Sequence, residues 1–152
     1  IQIIMIKASI ILDNKVWKKD IKNINFFFKK KLKIVSNVYF LKKKNHYFTI
    51  LLTTNKFIKK LNNKFRNKNK TTDVLSFPFN EKIKKNSFLG DVVISYEIVK
   101  KRSYNSSFSR ELDKMWVHGL LHLLGYNHKK LKDYSKMYNK EKIILKKLEI
   151  IN

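Results

Sequence analysis

The chain has no cysteine, which excludes disulfides and thiolate metal ligands, so any metal must be held by His, Asp or Glu. One proline and three glycines are spread over 152 residues. No Gly/Ser-rich linker, internal repeat or compositional break divides the sequence, and it reads as a single domain over residues 1–152. No apolar run reaches the roughly 18–20 residues that cross a bilayer, so no membrane partner is expected. Ile1–Leu12 is apolar but lacks a basic leader and a small-residue cleavage site. It reads as a strand rather than a signal peptide, and the expected location is cytoplasmic. Acidic residues are also scarce: 11 against 35 basic ones, for a net charge of +24. Such a field favours polyanions, meaning RNA, DNA or an anionic membrane surface. Lysine outnumbers arginine 32 to 3 in a chain crowded with Asn, Ile and Phe, a bias that AT-rich drift also produces. The charge permits nucleic-acid binding without diagnosing it.

What is present is a core-forming pattern, with 43% hydrophobic residues. Val16–Leu32 has apolar residues at helical spacing and predicts an amphipathic helix. Val35–Leu41 and Tyr47–Leu52, short runs around a polar Lys/Asn turn, predict a hairpin. Thr54–Arg66 returns to helical spacing, with Thr53 or Thr54 as cap, and a polar loop, Asn67–Thr72, follows. Asp73–Phe79 predicts a strand, placed at an edge or strand end by Pro78, which cannot donate to a ladder. Leu89–Ser95 predicts a strand buried on both faces. Helices are expected at Tyr96–Tyr104, at Ser109–Leu124 with Ser109 as N-cap, and at Lys129–Ile150. In the last, Leu131, Tyr134, Met137, Ile144, Leu145 and Leu148 are expected to face inward. The sum is an α+β domain, a small mixed sheet against about five helices.

Three of the four histidines fall within eleven residues, in His118-Gly-Leu-Leu-His122-Leu-Leu-Gly125-Tyr-Asn-His128. His118 and His122, four apart on a helix, project from one face, and an i, i+4 pair can give zinc two nitrogens at about 2.0–2.1 Å. A chain reversal at Gly125 lets His128 swing back as a third ligand. Taken singly, a histidine in an apolar helix is usually a hydrogen-bonded core residue. Three together, among Leu, Trp and Gly neighbours that offer few partners, are satisfied at once by one shared ion. Three protein ligands leave a fourth position free, as in catalytic sites. His46, in a Lys/Asn turn, reads as solvated surface. The spacing also matches the metzincin pattern H-E-x-x-H-x-x-G-x-x-H, but Gly119 stands where the water-activating Glu belongs, which makes a zinc peptidase the weaker reading.

These residues resemble the YbeY-type endoribonucleases, or rRNA maturation factors. His118–His128, HGLLHLLGYNH, matches their H-G-x-L-H-L-x-G-Y-D-H. Leu61–Pro78, LNNKFRNKNKTTDVLSFP, matches a second block, and Leu89–Ser95, LGDVVIS, a third, in the same order and spacing. The resemblance implies an α+β fold and one zinc ion on His118, His122 and His128. It also implies action on single-stranded RNA in ribosomal RNA maturation, near the 3′ end of the small-subunit RNA, and in ribosome quality control. The implied partners are the small subunit and its assembly factors. Arg66 aligns with the family's functionally important arginine. Asn127 replaces the usual Asp and Thr71 the usual Pro. An amide at 127 in place of a carboxylate that supports a liganding His could weaken metal binding.

The expected chemistry is metal-assisted phosphodiester cleavage, with His118 and Arg66 as catalytic residues. Arg66 suits a phosphate clamp because its guanidinium is planar and permanently charged; the bland reading is a surface salt bridge. Lys68 and Lys70 are candidate phosphate contacts or simply solvated loop charges. Asp73 and Asp91 are either structural or near the site. An rRNA-binding assembly factor with structural zinc is the alternative to an enzyme.

Overall fold

The structure, a computed structural model, describes residues 4–42, 44–66, 74–79 and 88–151. Its elements are β1 (Ile6–Leu12), α1 (Ile24–Ser36), β2 (His46–Thr53), α2 (Asn55–Arg66), β3 (Val74–Pro78), β4 (Phe88–Ser95), α3 (Tyr96–Arg102), α4 (Phe108–Leu123) and α5 (Leu131–Glu149). The four strands form one sheet in the order β1-β2-β4-β3. β1, β2 and β4 run parallel, and β3 lies antiparallel on β4. This is the expected α+β architecture. Among the described residues no helix is long and apolar enough to cross a membrane.

The main core lies between one sheet face and α1, α4 and α5. Phe48, Ile50, Leu52, Val92 and Ile94 meet Phe28, Trp116 and Leu120, all fully or almost fully buried. Each such side chain contributes about 1.5–3 kcal/mol by leaving water. On the opposite face α2 covers a smaller cluster of Ile58, Leu75 and Val93. β4 is buried on both faces, as its continuous apolar run predicts, and β3, carrying Pro78, is an edge.

Several boundaries differ from the sequence reading. Val16–Leu32 is not one helix. A short 3-10 turn at Lys15–Lys19 buries Trp17, whose Nε1 donates to the Thr53 carbonyl at 3.0 Å. α1 then starts afresh because the Asn23 side chain accepts from the Phe26 N–H. The expected hairpin is absent: Val35 and Ser36 end α1, and β2 pairs with β1 and β4, parallel to both. Val35, Val38 and Leu41 are buried at a spacing of three, through successive turns in which Val38 donates to Val35 and Leu41 to Val38. Parallel strands need a crossover, and α1 supplies it. His46 is buried at the start of β2 rather than solvated. Thr53 donates its hydroxyl to Asp13 at 2.6 Å. The N-cap of α4 is Ser107, whose side chain accepts from the Arg110 N–H; the Ser109 hydroxyl instead accepts from Lys31 at 3.4 Å. On α5, Met137, Ile144 and Leu148 are buried as expected, whereas Leu131 and Tyr134 are exposed.

Candidate metal centre

α4 is set against the sheet by its apolar face and by a glycine. A Cβ on Gly119 would come within 2.6 Å of Val92 Cγ1 on β4, so only glycine allows this close approach. That contact also explains why no water-activating Glu stands at 119: the position faces the sheet. His118 and His122 flank it and emerge half-buried, with ring centroids 4.5 Å apart.

The helix stops as the sequence predicts. Gly125 adopts a φ of +97°. Its N–H donates to the His122 carbonyl and that of Tyr126 to the Leu121 carbonyl, the paired bonds of a Schellman turn. The reversal carries His128 back, placing its ring centroid 5.5 Å from His118 and 5.0 Å from His122. One ring nitrogen from each of the three lies within 4.8 Å of the others. Asn127 accepts from the Lys129 N–H at 3.3 Å. Its amide oxygen thus serves this loop, at the position where the resemblance puts a carboxylate in support of a liganding histidine.

The hydrogen bonds of the first two rings set which nitrogen of each faces the other. His118 Nδ1 lies 2.5 Å from Glu141 Oε1 on α5, and a carboxylate can only accept. His122 Nδ1 lies 3.0 Å from the Tyr126 carbonyl oxygen. With both Nδ1 atoms turned to oxygen acceptors, the two Nε2 atoms face each other at 3.0 Å. Two imidazole nitrogens this close need a shared cation between them, a proton or a metal ion. Two nitrogens on a shared tetrahedral zinc stand about 3.3 Å apart. The donor set therefore fits one metal ion. Burial, then the neighbouring His118, hold His122 below its usual pKa, partly offset by the Tyr126 carbonyl. A neutral imidazole is what a metal requires.

The site opens into a groove of about 740 Å³ between α4 and α5, lined by His118, Glu141, Arg102, Lys114, Lys142 and Lys146 among others. Its cations outnumber its two carboxylates, Glu141 and Glu149.

The sequence model described as Endoribonuclease YbeY matches residues 7–149, nearly the whole chain. The chain belongs to that family. A protein named Endoribonuclease YbeY from Pelagibacter ubique is 48% identical over 146 residues, 93% of this chain and 95% of the relative. One of the same name from Buchnera aphidicola is 40% identical over 144 residues, covering 87% and 88%. The fold is similar to the solution structure of a Thermotoga maritima protein, with a TM-score of 0.65 and 24% identity, over 93% of this chain and 88% of that one.

The other candidate residues fall into separate places. Arg66 is the last residue of α2, with its side chain outside the described residues, as are Lys68, Lys70 and Asp73 entirely. Asp91 is exposed and accepts from the Thr49 hydroxyl. Val92 meets α4, so by strand alternation Asp91 points to the opposite face and stands apart from the histidines. Sequence reading missed Glu141, which lies 13 residues beyond His128 in a lysine-rich helix. Its one signal is an acidic side chain between Lys140 and Lys142.

Proposed function

We propose that the chain is a single metal-dependent endoribonuclease domain, residues 1–152, that cleaves single-stranded RNA. His118, His122 and His128 hold one zinc ion. The biological setting we infer is ribosomal RNA processing in the cytoplasm, at the 3′ end of the small-subunit RNA, with a part in ribosome quality control. Its partners there are the small subunit and its assembly factors. The family's name supports RNA as substrate; the carrying observation is the pair of Nε2 atoms facing each other at 3.0 Å, with His128 in reach, at the mouth of a basic groove.

The residues divide the work. Glu141 accepts from His118 Nδ1, fixes the ring's orientation and raises the basicity of its Nε2. The Tyr126 carbonyl does the same for His122, and the Schellman turn at Gly125 sets where His128 stands. When bound, the ion supplies Lewis acidity toward a phosphoryl oxygen or water. Arg102, Lys114, Lys142 and Lys146 draw the phosphodiester backbone into the groove. Arg66, at the end of α2, clamps the reacting phosphate with its planar fork, and Lys68 and Lys70 contact neighbouring phosphates.

The test is cleavage of an unstructured RNA and of a duplex by zinc-loaded protein, with casein as control. The wild type should cut the unstructured RNA alone, while His118→Ala, His122→Ala and Arg66→Ala should each lose at least about 100-fold. Cleavage that survives both histidine substitutions rejects the proposal.

A further inference from the structure

A row of four side chains follows the groove edge of α5: Tyr134, Tyr138, Lys142 and Lys146, each four residues from the next. Helical geometry sets such residues nearly above one another, about 6 Å per step. The sequence reading placed Tyr134 in the core, but it is 53% exposed and Tyr138 is 51% exposed. Their rings lie almost parallel, at 8°, with centroids 6.2 Å apart. Tyr138, Lys142 and Lys146 line the same groove as His118. One turn after Tyr138, Glu141 touches His118. Among the described residues, neither Lys142 nor Lys146 makes an ion pair.

We propose that Tyr138, held parallel to Tyr134, is a stacking platform for an unpaired base of the RNA strand beside the metal centre, with Lys142 and Lys146 taking the phosphates that follow. The proposal rests on the RNA reading and adds residues and a selection rule to it. A flat aromatic face and a neighbouring cation are what single strands use, since every base has a π-face and every linkage a charge. A duplex keeps its bases stacked inside and gives Tyr138 nothing to hold. The platform thus favours unpaired over paired RNA without reading sequence. Core formation does not require these rings, since both are more than half exposed, and the buried side chains of α5 are Met137, Ile144 and Leu148.

The experiment uses zinc-loaded full chain and a short unstructured RNA, with kcat and KM measured separately. Tyr138→Ala should raise KM about 10- to 100-fold and leave kcat at saturation within threefold. Tyr138→Phe should keep the wild-type KM, because stacking needs the ring and not the hydroxyl. Zinc affinity and the melting temperature should be unchanged in both. Against an RNA carrying abasic residues around the cleavage point, wild type and Tyr138→Ala should become equal. A Tyr138→Ala KM within twofold of wild type on normal RNA overturns the platform, as does an equally large gap on abasic RNA. Those outcomes leave the RNA reading standing; only a wild type that cuts no RNA removes both.

Discussion

Two of the acid–base contacts that helix α4 makes with other helices lie five residues apart and differ in burial and in what they leave open. Asp113 meets Lys31 of α1 at 2.6 Å, with side-chain exposures of 1% and 5%, and also accepts from Trp116 Nε1 at 2.9 Å. His118 meets Glu141 of α5 at 2.5 Å, with exposures of 31% and 22%, and keeps a second nitrogen pointing at His122. The first contact is closed: both groups are buried and partnered inside the protein. The second is half open and leaves a ring nitrogen for a ligand. The same helix thus separates scaffold from site by solvent access and by unused valence.

Breaking the closed contact should have the largest effect. Asp113→Ala leaves a buried ammonium without its carboxylate, and we expect a loss of about 3–5 kcal/mol in urea unfolding of the metal-free protein. Between the two contacts lies Gly119. Gly119→Ala drives a methyl into Val92 on β4 and should cost about 1–3 kcal/mol by the same measurement. The open contact should show the opposite profile. Glu141→Gln should weaken zinc binding about 10- to 100-fold in a chelator competition, because the liganding ring loses its anionic partner. Its unfolding free energy should stay within about 0.5 kcal/mol of wild type. A Glu141 variant that unfolds as easily as Asp113→Ala would erase the distinction.

The contact between Lys100 and Asp20 extends the comparison toward solvent. Lys100, half exposed, meets Asp20 at 2.7 Å, and Tyr96 donates to the same carboxylate at 2.6 Å. Burial pushes the Asp20 pKa up, but the bonds from Lys100 and Tyr96 outweigh it and hold the carboxyl below its usual value. A depressed carboxylate stabilises the fold above its unfolded pKa, and that contribution fades as pH falls through the folded one. Asp20→Asn should therefore be less stable than wild type at pH 7, by about 1 kcal/mol or less given the screening at Lys100. The gap should close in acid below about pH 4. Denaturant titrations at two pH values measure it.

How much of this was legible in the sequence depends on whether a feature is local. The α4 histidine spacing, the left-handed stop at Gly125, the doubly buried run of β4 and the edge position of Pro78 are each set by a few neighbouring residues, and each was readable. Strand partners are not local. Val35–Leu41 is apolar enough for a strand, yet its residues are buried at turn spacing, and β2 takes two parallel partners that only the whole fold brings alongside. Single-residue environments failed for the same reason. His46 sits among lysines and asparagines in sequence but is covered in three dimensions, while Leu131 and Tyr134 follow the helical period of α5 beyond the point where the core ends. Glu141 was invisible because its partner is 23 residues away on another helix.

The central claim is that three imidazoles converge on one ion, and equilibrium zinc titration of wild type beside His128→Ala tests it most directly. The account predicts one tight equivalent for the wild type and a loss of at least about 100-fold for the variant, with the fold intact. Undiminished zinc affinity in His128→Ala would contradict it, since the returning loop would then supply no ligand.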